Sequence, residues 1–505
     1  MIKRTIEIMD TTLRDGEQTS GVSFSISEKL TLSRLLLGEL NVDRIEIASA
    51  RVSAGELNAV KEINQWAKGE GLERRIEVLG FVDGCTSIEW MIKTGAKVQN
   101  LLTKGSLNHL KHQLKKTPDQ HFKDIEKSVL TAKKEGIDTN VYLEDWSNGM
   151  RNSKDYVNEY LSFVTTLPIN RILLPDTLGV MTYYETYSFI SEVIKNYPEI
   201  HFDFHGHNDY DLSVANAMEA VRAGCHGLHL TINGMGERAG NTPMASTVAS
   251  LKDFLPDVKI NINESSLYKV SKLVATFTGF RIPVNKPVVG QNVFTQTAGI
   301  HADGDKKNNL YFNDLLPERF GRTREYALGK TSGKANIQKN LQKLGVSLND
   351  DEVRKVTQRI IELGDKKEIV TTEDLPYIIS DVLNSNTEQK VAVKSYVLTH
   401  SKGLRPTTAV SLEMEGELLE ENASGDGQFD AFMNAIKKIY SRKNKELPIL
   451  IDYAVRIPPG SNSDALCETL ITWKNSKNEF ITRGLDSDQT VSAIKATEKM
   501  LNIIS

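Results

Sequence analysis

Cysteine is scarce in this chain. Cys85, Cys225 and Cys467 are three residues in 505, too few and too far apart for a disulfide framework or a zinc cluster. Their scarcity excludes the stapled secreted domains and suits a reducing cytoplasm, where each thiol packs as a small apolar group. Long apolar runs are missing too. No stretch approaches the ~20 residues of a membrane span, and the opening MIKRTIEIMD has no signal-peptide core. An excess of positive charge is also absent. The formal net charge is −4, which leaves no basic footprint for nucleic acid.

What is present is a globular composition, 39% hydrophobic and 25% charged, in a chain long enough for two or three domains. From Thr5 onward strand-like and helix-like stretches alternate. The strand candidates are Thr5–Asp10, Arg44–Ala48, Arg75–Phe81, Lys97–Thr103, Thr139–Glu144, Arg171–Pro175, His201–His205 and Gly227–Ile232. Helical periodicity follows each of them, as over Ser27–Leu40, Ala54–Lys68 and Met244–Phe254. The strands read as short, β-branched and apolar, as a parallel sheet buried on both faces requires. Eight βα units in about 250 residues match a (β/α)8 TIM barrel. An open doubly wound sheet is disfavoured, because no glycine-rich dinucleotide fingerprint follows the first strand.

A barrel of this kind carries its active site at the C-terminal ends of its strands. The polar clusters sit there. Strand one runs into Asp10…Arg14-Asp15…Glu17-Gln18, strand five into Tyr142-Leu-Glu-Asp145, and strand six into Pro175-Asp-Thr177. Strand seven runs into His205-Gly-His-Asn-Asp209 and strand eight into Asn233-Gly-Met-Gly-Glu-Arg-Ala-Gly-Asn241. On a strand, residues i and i+2 share a face, so His205 and His207 reach one metal ion. The polar run after the first strand offers their partner, Asp15. One carboxylate and two imidazoles leave coordination positions open for a chelating 2-oxo acid. Arg14 can steady charge on the substrate oxygen, or pair with Glu17 or a neighbouring carboxylate. Glu144 stands beside the metal site, and Thr177 can hydrogen-bond a substrate carboxylate or serve as a turn residue.

After Phe254 the pattern changes. A turn-rich connector, the polar run Thr297-Ala-Gly-Ile-His-Ala-Asp-Gly304 and several helices extend to about residue 383, followed by a polar linker over 384–390. Beyond Val391 two βββα units follow in tandem, with helices over Gln428–Tyr440 and Asp488–Ile503. The expected division is a catalytic barrel over 1–285, a helical connector subdomain over 286–390 and a regulatory α+β (βββα)2 domain over 391–505.

DTTLRDGEQ, HGHND and NGMGERAGNTP, in this order on these strands, resemble the aldolase-type metal-dependent acyltransferases. These are the isopropylmalate, citramalate and homocitrate synthases, relatives of the hydroxymethylglutaryl lyases. The C-terminal half resembles the regulatory domain of the first two. The resemblance implies Claisen condensation of acetyl-CoA, as co-substrate, with a 2-oxo acid on a divalent metal (Mn2+, Mg2+ or Zn2+), followed by thioester hydrolysis. It implies Asp15, His205 and His207 as metal ligands with Asn241 as a fourth. It also implies Arg14 at the developing charge, Glu144 in catalysis and Thr177 on the 2-oxo acid. The matching GIHADG segment implies that His301 and Tyr311 serve acid–base chemistry in the partner subunit's site, and hence a homodimer. An amino-acid effector, isoleucine or leucine, is expected on the C-terminal domain.

The 2-oxo acid depends on pocket size. Tyr142 stands two residues before Glu144 and faces the same way, and Leu79 and Leu102 add apolar bulk. LGFVDG, LLTKGS and VYLEDWSNG are similar to citramalate synthases, which use pyruvate. The alternatives are a 2-isopropylmalate synthase, a carbon–carbon lyase of the same barrel, and a non-catalytic amino-acid sensor.

Overall fold

The computed structural model describes residues 3–304, 307–308, 310–365, 370–383, 390–456, 467–476 and 479–505. The chain divides into two compact units, Met1–Phe294 with Asn313–Thr323, and Thr295–Phe312 with Arg324–Ser505.

In the first unit eight parallel strands close into a barrel. They are β1 (Glu7–Asp10), β2 (Arg44–Ser49), β3 (Ile76–Phe81), β4 (Val98–Lys104), β5 (Asp138–Glu144), β6 (Arg171–Asp176), β7 (Phe202–Gly206) and β8 (Gly227–Leu230). The principal helices between and after them, besides short ones over Leu107–His109 and Trp146–Asn152, are α1 (Ile26–Arg34, continued as a π turn over Leu35–Glu39), α2 (Ala54–Glu70), α3 (Thr86–Thr94), α4 (Pro118–Lys134), α5 (Lys154–Val164), α6 (Tyr183–Asn196), α7 (Ser213–Arg222) and α8 (Met244–Phe254). β1 closes the ring against β8, with Glu7 to Asp10 opposite Gly227 to Leu230. Local sequence sets the helix ends. Ser25 with Glu28, Thr117 with Gln120 and Thr182 with Glu185 form capping boxes, and Pro118 opens α4.

The two faces of the strands differ. Ile8, Ile45, Val78, Leu101, Val141, Leu174, Phe204 and Leu230 belong to one continuous core with the helices. Each such buried side chain contributes ~1.5–3 kcal/mol of transfer free energy. The intervening residues point inward, and most are polar. Arg44 donates to Glu7 at 3.0 Å, to Glu77 at 2.6 Å and to Asp203 at 2.5 Å. Above that layer Asn140 donates to Asn100, and Asn100 to Glu46, each at 2.8 Å. The expectation of strands apolar on both faces is therefore wrong for the inner one. The inner face tolerates charge because each buried ion has a partner of opposite sign.

In the second unit α10 (Lys334–Leu344), α11 (Asp350–Asp365) and α12 (Leu375–Leu383) share a small core around Ile337, Leu341, Val356, Ile360 and Leu375; α9 (Leu267–Thr278) precedes them in the first unit. Then come two antiparallel three-stranded sheets. One is β9 (Val391–Thr399), β10 (Thr407–Met414) and β11 (Glu417–Ser424), followed by α13 (Gln428–Arg442). The other is β12 (Ile449–Arg456), β13 (Cys467–Lys474) and β14 (Glu479–Asp486), followed by α14 (Gln489–Ile504). The tandem βββα reading holds, and both repeats share one core through Phe432, Ile436, Ile471, Trp473 and Leu501. Of the expected linker, residues 384–389 lie outside the described residues, as do Ile457 and residues 465–466 at the expected strand ends. Among the described residues no helix is long and apolar enough to cross a membrane.

Arg44 shares the lower barrel layer with Arg171, which meets Glu7 at 2.7 Å and Asp203 at 3.7 Å, so Arg44→Met takes the ion-pair partner from the buried Glu77 and one of several partners from Asp203. Denaturant unfolding of the variant should show a loss of about 3–5 kcal/mol relative to the parent.

Candidate metal centre and substrate pocket

The DTTLRDGEQ turn folds back on itself at the end of β1. Thr11 O accepts from the amides of Arg14, Asp15 and Gly16, and a 3-10 turn over Gly16–Gln18 follows. This aims Asp15 over the barrel mouth. Asp15 Oδ2 lies 3.1 Å from His205 Nε2 and 3.9 Å from His207 Nε2, and the two Nε2 atoms are 3.4 Å apart. All three side chains are buried, and among the described residues they are the group with metal-ligand geometry. Asn241 pairs with His207 in a short β-bridge. Its Nδ2 donates to Met235 O, while its buried Oδ1 has no partner among the described residues. One carboxylate, two imidazole nitrogens and a spare amide oxygen are a donor set suited to a divalent cation.

Electrostatics prepare these ligands. Burial pushes the Asp15 carboxyl up, but Arg14 and the two imidazoles outweigh it and hold it well below its usual value. Burial and His205 push His207 down to about 4, against the pull of Asp15. Both groups are thus in ligand form at neutral pH.

Arg14 is clamped beside the ligands. Nε donates to Glu46 Oε2 at 2.6 Å, Nη1 stands 3.4 Å from Asp15, and Nη2 reaches the Tyr142 hydroxyl at 3.4 Å. Its partner is not Glu17, which pairs instead with the buried Lys29 at 2.6 Å. Glu46 was not legible as a site residue. Its signal is period-two spacing from Arg44, which puts both on the inner face.

Tyr142, Leu79 and Leu173 form a small buried cluster apart from the main core, with Phe81 and Leu102 packed against it. The cluster follows the strand register, in which Tyr142 is opposite Leu102 on β4 and Leu173 on β6. The Tyr142 ring meets His205 edge-on at 5.8 Å. The three residues expected to size the pocket are together, joined by Leu173 and Phe81, which sequence reasoning missed. Tyr142 also bonds to His229 Nδ1 at 2.8 Å, and His229 Nε2 to Asp203 at 3.2 Å. Burial keeps His229 neutral, against the pull of Asp203.

The remaining expected residues are more scattered. Glu144 is opposite Lys104 in register and pairs with it rather than with the three ligands. Thr177 Oγ1 accepts from the Asp145 amide at 2.9 Å, which leaves its hydroxyl hydrogen free to donate. His301 and Tyr311 lie in the second unit, their rings 4.2 Å apart.

Fold and donor set define a TIM-barrel protein with a candidate divalent-cation centre at the C-terminal face. The sequence matches the HMGL-like family over residues 5–274, the homocitrate synthase post-HMGL domain-like family over 288–368 and the LeuA allosteric (dimerisation) domain over 369–505. It is 31% identical to the (R)-citramalate synthase of Methanocaldococcus jannaschii, covering 99% of each chain. It is 33% identical to the 2-isopropylmalate synthase of the same organism, covering 99% of this chain and 94% of that one. A Bacillus subtilis HMG-CoA lyase structure superposes with a TM-score of 0.49 at 18% identity, over 56% of this chain and 97% of that chain. The chain belongs to the HMGL-like family, on the branch that includes the citramalate and 2-isopropylmalate synthases.

Titration calorimetry with Mn2+ checks the ligand set. Asp15→Asn and His207→Ala should each weaken binding at least tenfold. The pH dependence has a defined sign. An ordinary imidazole protonates near 6.5, whereas His207 does so at about 4. Its contribution to Mn2+ affinity should therefore hold from pH 7.5 to 5.5 and fall as the pH drops through about 4.

Proposed function

We propose that the protein is an acyltransferase that condenses acetyl-CoA with pyruvate to give citramalate and then hydrolyses the thioester. This places it in branched-chain amino-acid biosynthesis, on the route to isoleucine. The observation that carries the choice of pyruvate is Tyr142, a full phenol ring buried with Leu79 and Leu173 beside His205. It occupies the space a branched 2-oxo acid needs for its side chain.

A divalent cation held by Asp15, His205, His207 and Asn241 would supply a Lewis acid for the 2-oxo acid's oxygens. The residues of the chain do the rest. Arg14 is fixed by Glu46, Asp15 and Tyr142, and presents a preorganised charge to the alkoxide that forms when carbon attacks the ketone. Thr177 donates its free hydroxyl hydrogen to the substrate carboxylate. Leu79, Leu102 and Tyr142 contact the methyl group of pyruvate. Glu144, salt-bridged to Lys104, assists in moving the protons of condensation and hydrolysis. His301 and Tyr311, ring against ring, supply the acid–base pair across a homodimer. The LeuA dimerisation match over 369–505 supports both the homodimer and an amino-acid effector.

A second reading, 2-isopropylmalate synthase, is supported by a relative of that name at 33% identity. A lyase is not favoured, because residues 369–505 match the LeuA allosteric (dimerisation) domain and the relatives matched over nearly the whole chain are named as synthases.

CoA release measured with Mn2+ should favour pyruvate over 2-oxoisovalerate, and Tyr142→Ala should shift the kcat/KM ratio toward 2-oxoisovalerate by roughly tenfold or more. A parental enzyme that prefers 2-oxoisovalerate would replace the first reading with the second. In the same assay isoleucine or leucine should inhibit, and saturating both without effect would remove the effector assignment.

A further inference from the structure

Below Arg14 and Tyr142 the barrel interior holds a hydrogen-bonded chain whose lower members, Asp203 and His229, the chemistry above does not use. It begins at Arg44, which donates to Asp203 Oδ2 at 2.5 Å, and continues from the same oxygen to His229 Nε2 at 3.2 Å. From His229 Nδ1 it reaches the Tyr142 hydroxyl at 2.8 Å, and from there Arg14 Nη2 at 3.4 Å. Asp203 and His229 are both fully buried. Space for the carboxylate is built in, because a Cβ at Gly227, the register partner of Asp203, would collide with it.

Each bond direction in this chain follows from the one before it. Arg44 only donates, and the Asp203 carboxylate only accepts. The hydrogen between Asp203 and His229 therefore sits on Nε2. The Nδ1 atom of the same neutral ring has only a lone pair to offer, so the Tyr142 hydroxyl donates to it. The phenol oxygen then turns its lone pairs toward the guanidinium of Arg14. The opposite tautomer would set the bare Nε2 lone pair against the Asp203 carboxylate. One tautomer thus satisfies every member, and it fixes the Tyr142 ring from below.

We infer that Asp203 and His229 are positioning residues for substrate choice, locking Tyr142 against Leu79 and Leu173 so that the pocket stays too short for branched 2-oxo acids. The inference rests on the reading of Tyr142 as the pocket wall. An unlocked ring can swing about its side-chain torsions and yield the volume of a branched side chain, whereas a locked one excludes it. Asp203 and His229 lie beneath the Tyr142 ring and hold it through the bond to its hydroxyl; the His229 ring also packs edge-on against His205 at 5.5 Å.

The test compares kcat/KM for pyruvate and for 2-oxoisovalerate in the full-length enzyme. His229→Gln puts its amide where Nε2 stood, keeping the bond to Asp203 and losing Tyr142. His229→Asn puts its amide where Nδ1 stood and keeps a partner for Tyr142. Tyr142→Phe removes the hydroxyl alone. His229→Gln and Tyr142→Phe should each lower the pyruvate preference roughly three- to tenfold, the effect of one lost hydrogen bond. The double variant should be no worse than either single one, because both cut the same link. His229→Asn, which keeps a partner for Tyr142 but loses the anchor on Asp203, should fall between the parent and His229→Gln, and a preference no better than that of His229→Gln overturns the role of the Tyr142 bond. A folded His229→Gln enzyme with parental preference, or additive effects in the double variant, overturns the inference. If Tyr142→Ala itself leaves the preference unchanged, it is the pocket reading that fails, and the two failures are distinct. Nitrogen-15 spectra of the histidine rings in the unaltered protein give an independent check that needs no variant to fold. His229 should show a protonated Nε2 and an unprotonated Nδ1, and the reverse assignment overturns the inference.

Discussion

The closing of eight strands around a polar interior is the constraint on which the rest of this structure depends. A strand shows alternate residues to its two faces. Here the outer set is apolar and bound to the helices, and the inner set carries Glu7, Arg44, Glu46, Glu77, Asp203 and His229. A charge buried in that space is tolerated only with its partner present. Arg44 with its three carboxylates closes the lower layer, and Glu46 with Arg14 and Asn100 closes the upper one. The side chains at the mouth are therefore not loose ends on loops. Arg14, Asp15 and Tyr142 are the top rung of a ladder that begins at the opposite end of the barrel. Positioning of that kind is what electrostatic catalysis asks of a site, since dipoles and charges already in place need no reorganisation as charge develops.

How much of this was legible in the sequence follows from how far apart the cooperating residues stand in it. The eight βα units were readable because apolar periodicity and capping residues are local signals. His205 and His207 were readable because two positions on one strand already share a face. Asp15 was readable from a dense polar run after the first strand. Glu46, Asp203, His229 and Leu173 were not, because each meets its partner only when separate strands are brought side by side or closed into the barrel. Asp203 finds Arg44 across 159 residues, and Glu46 finds Arg14 across 32. Glu17 shows the opposite error. It lies three residues from Arg14 and looks like its partner, but the 3-10 turn between Gly16 and Gln18 carries it to Lys29. The reading of strands apolar on both faces went wrong for a related reason. Residue type reports that a strand is buried, but only closure decides that its second face lines an interior rather than another layer.

Choice between 2-oxo acids at this site is a matter of volume. Pyruvate and its branched analogues differ by methyl groups, each worth only ~0.8 kcal/mol of transfer free energy, and that energy favours the larger substrate. On the proposed pyruvate reading, a soft apolar pocket beside Leu79 and Leu173 would bind a branched acid at least as well as pyruvate. Preference for the small substrate has to come from volume that is refused, and a wall refuses volume only if moving it costs more than the extra contacts return. A phenol hydroxyl with one donor bond to a buried imidazole and one acceptor bond from an arginine does not yield, because either movement leaves a buried polar group unpaired. On this view the tyrosine hydroxyl serves selectivity through stiffness rather than through contact with substrate, and the acid at the foot of the barrel is what makes the wall stiff.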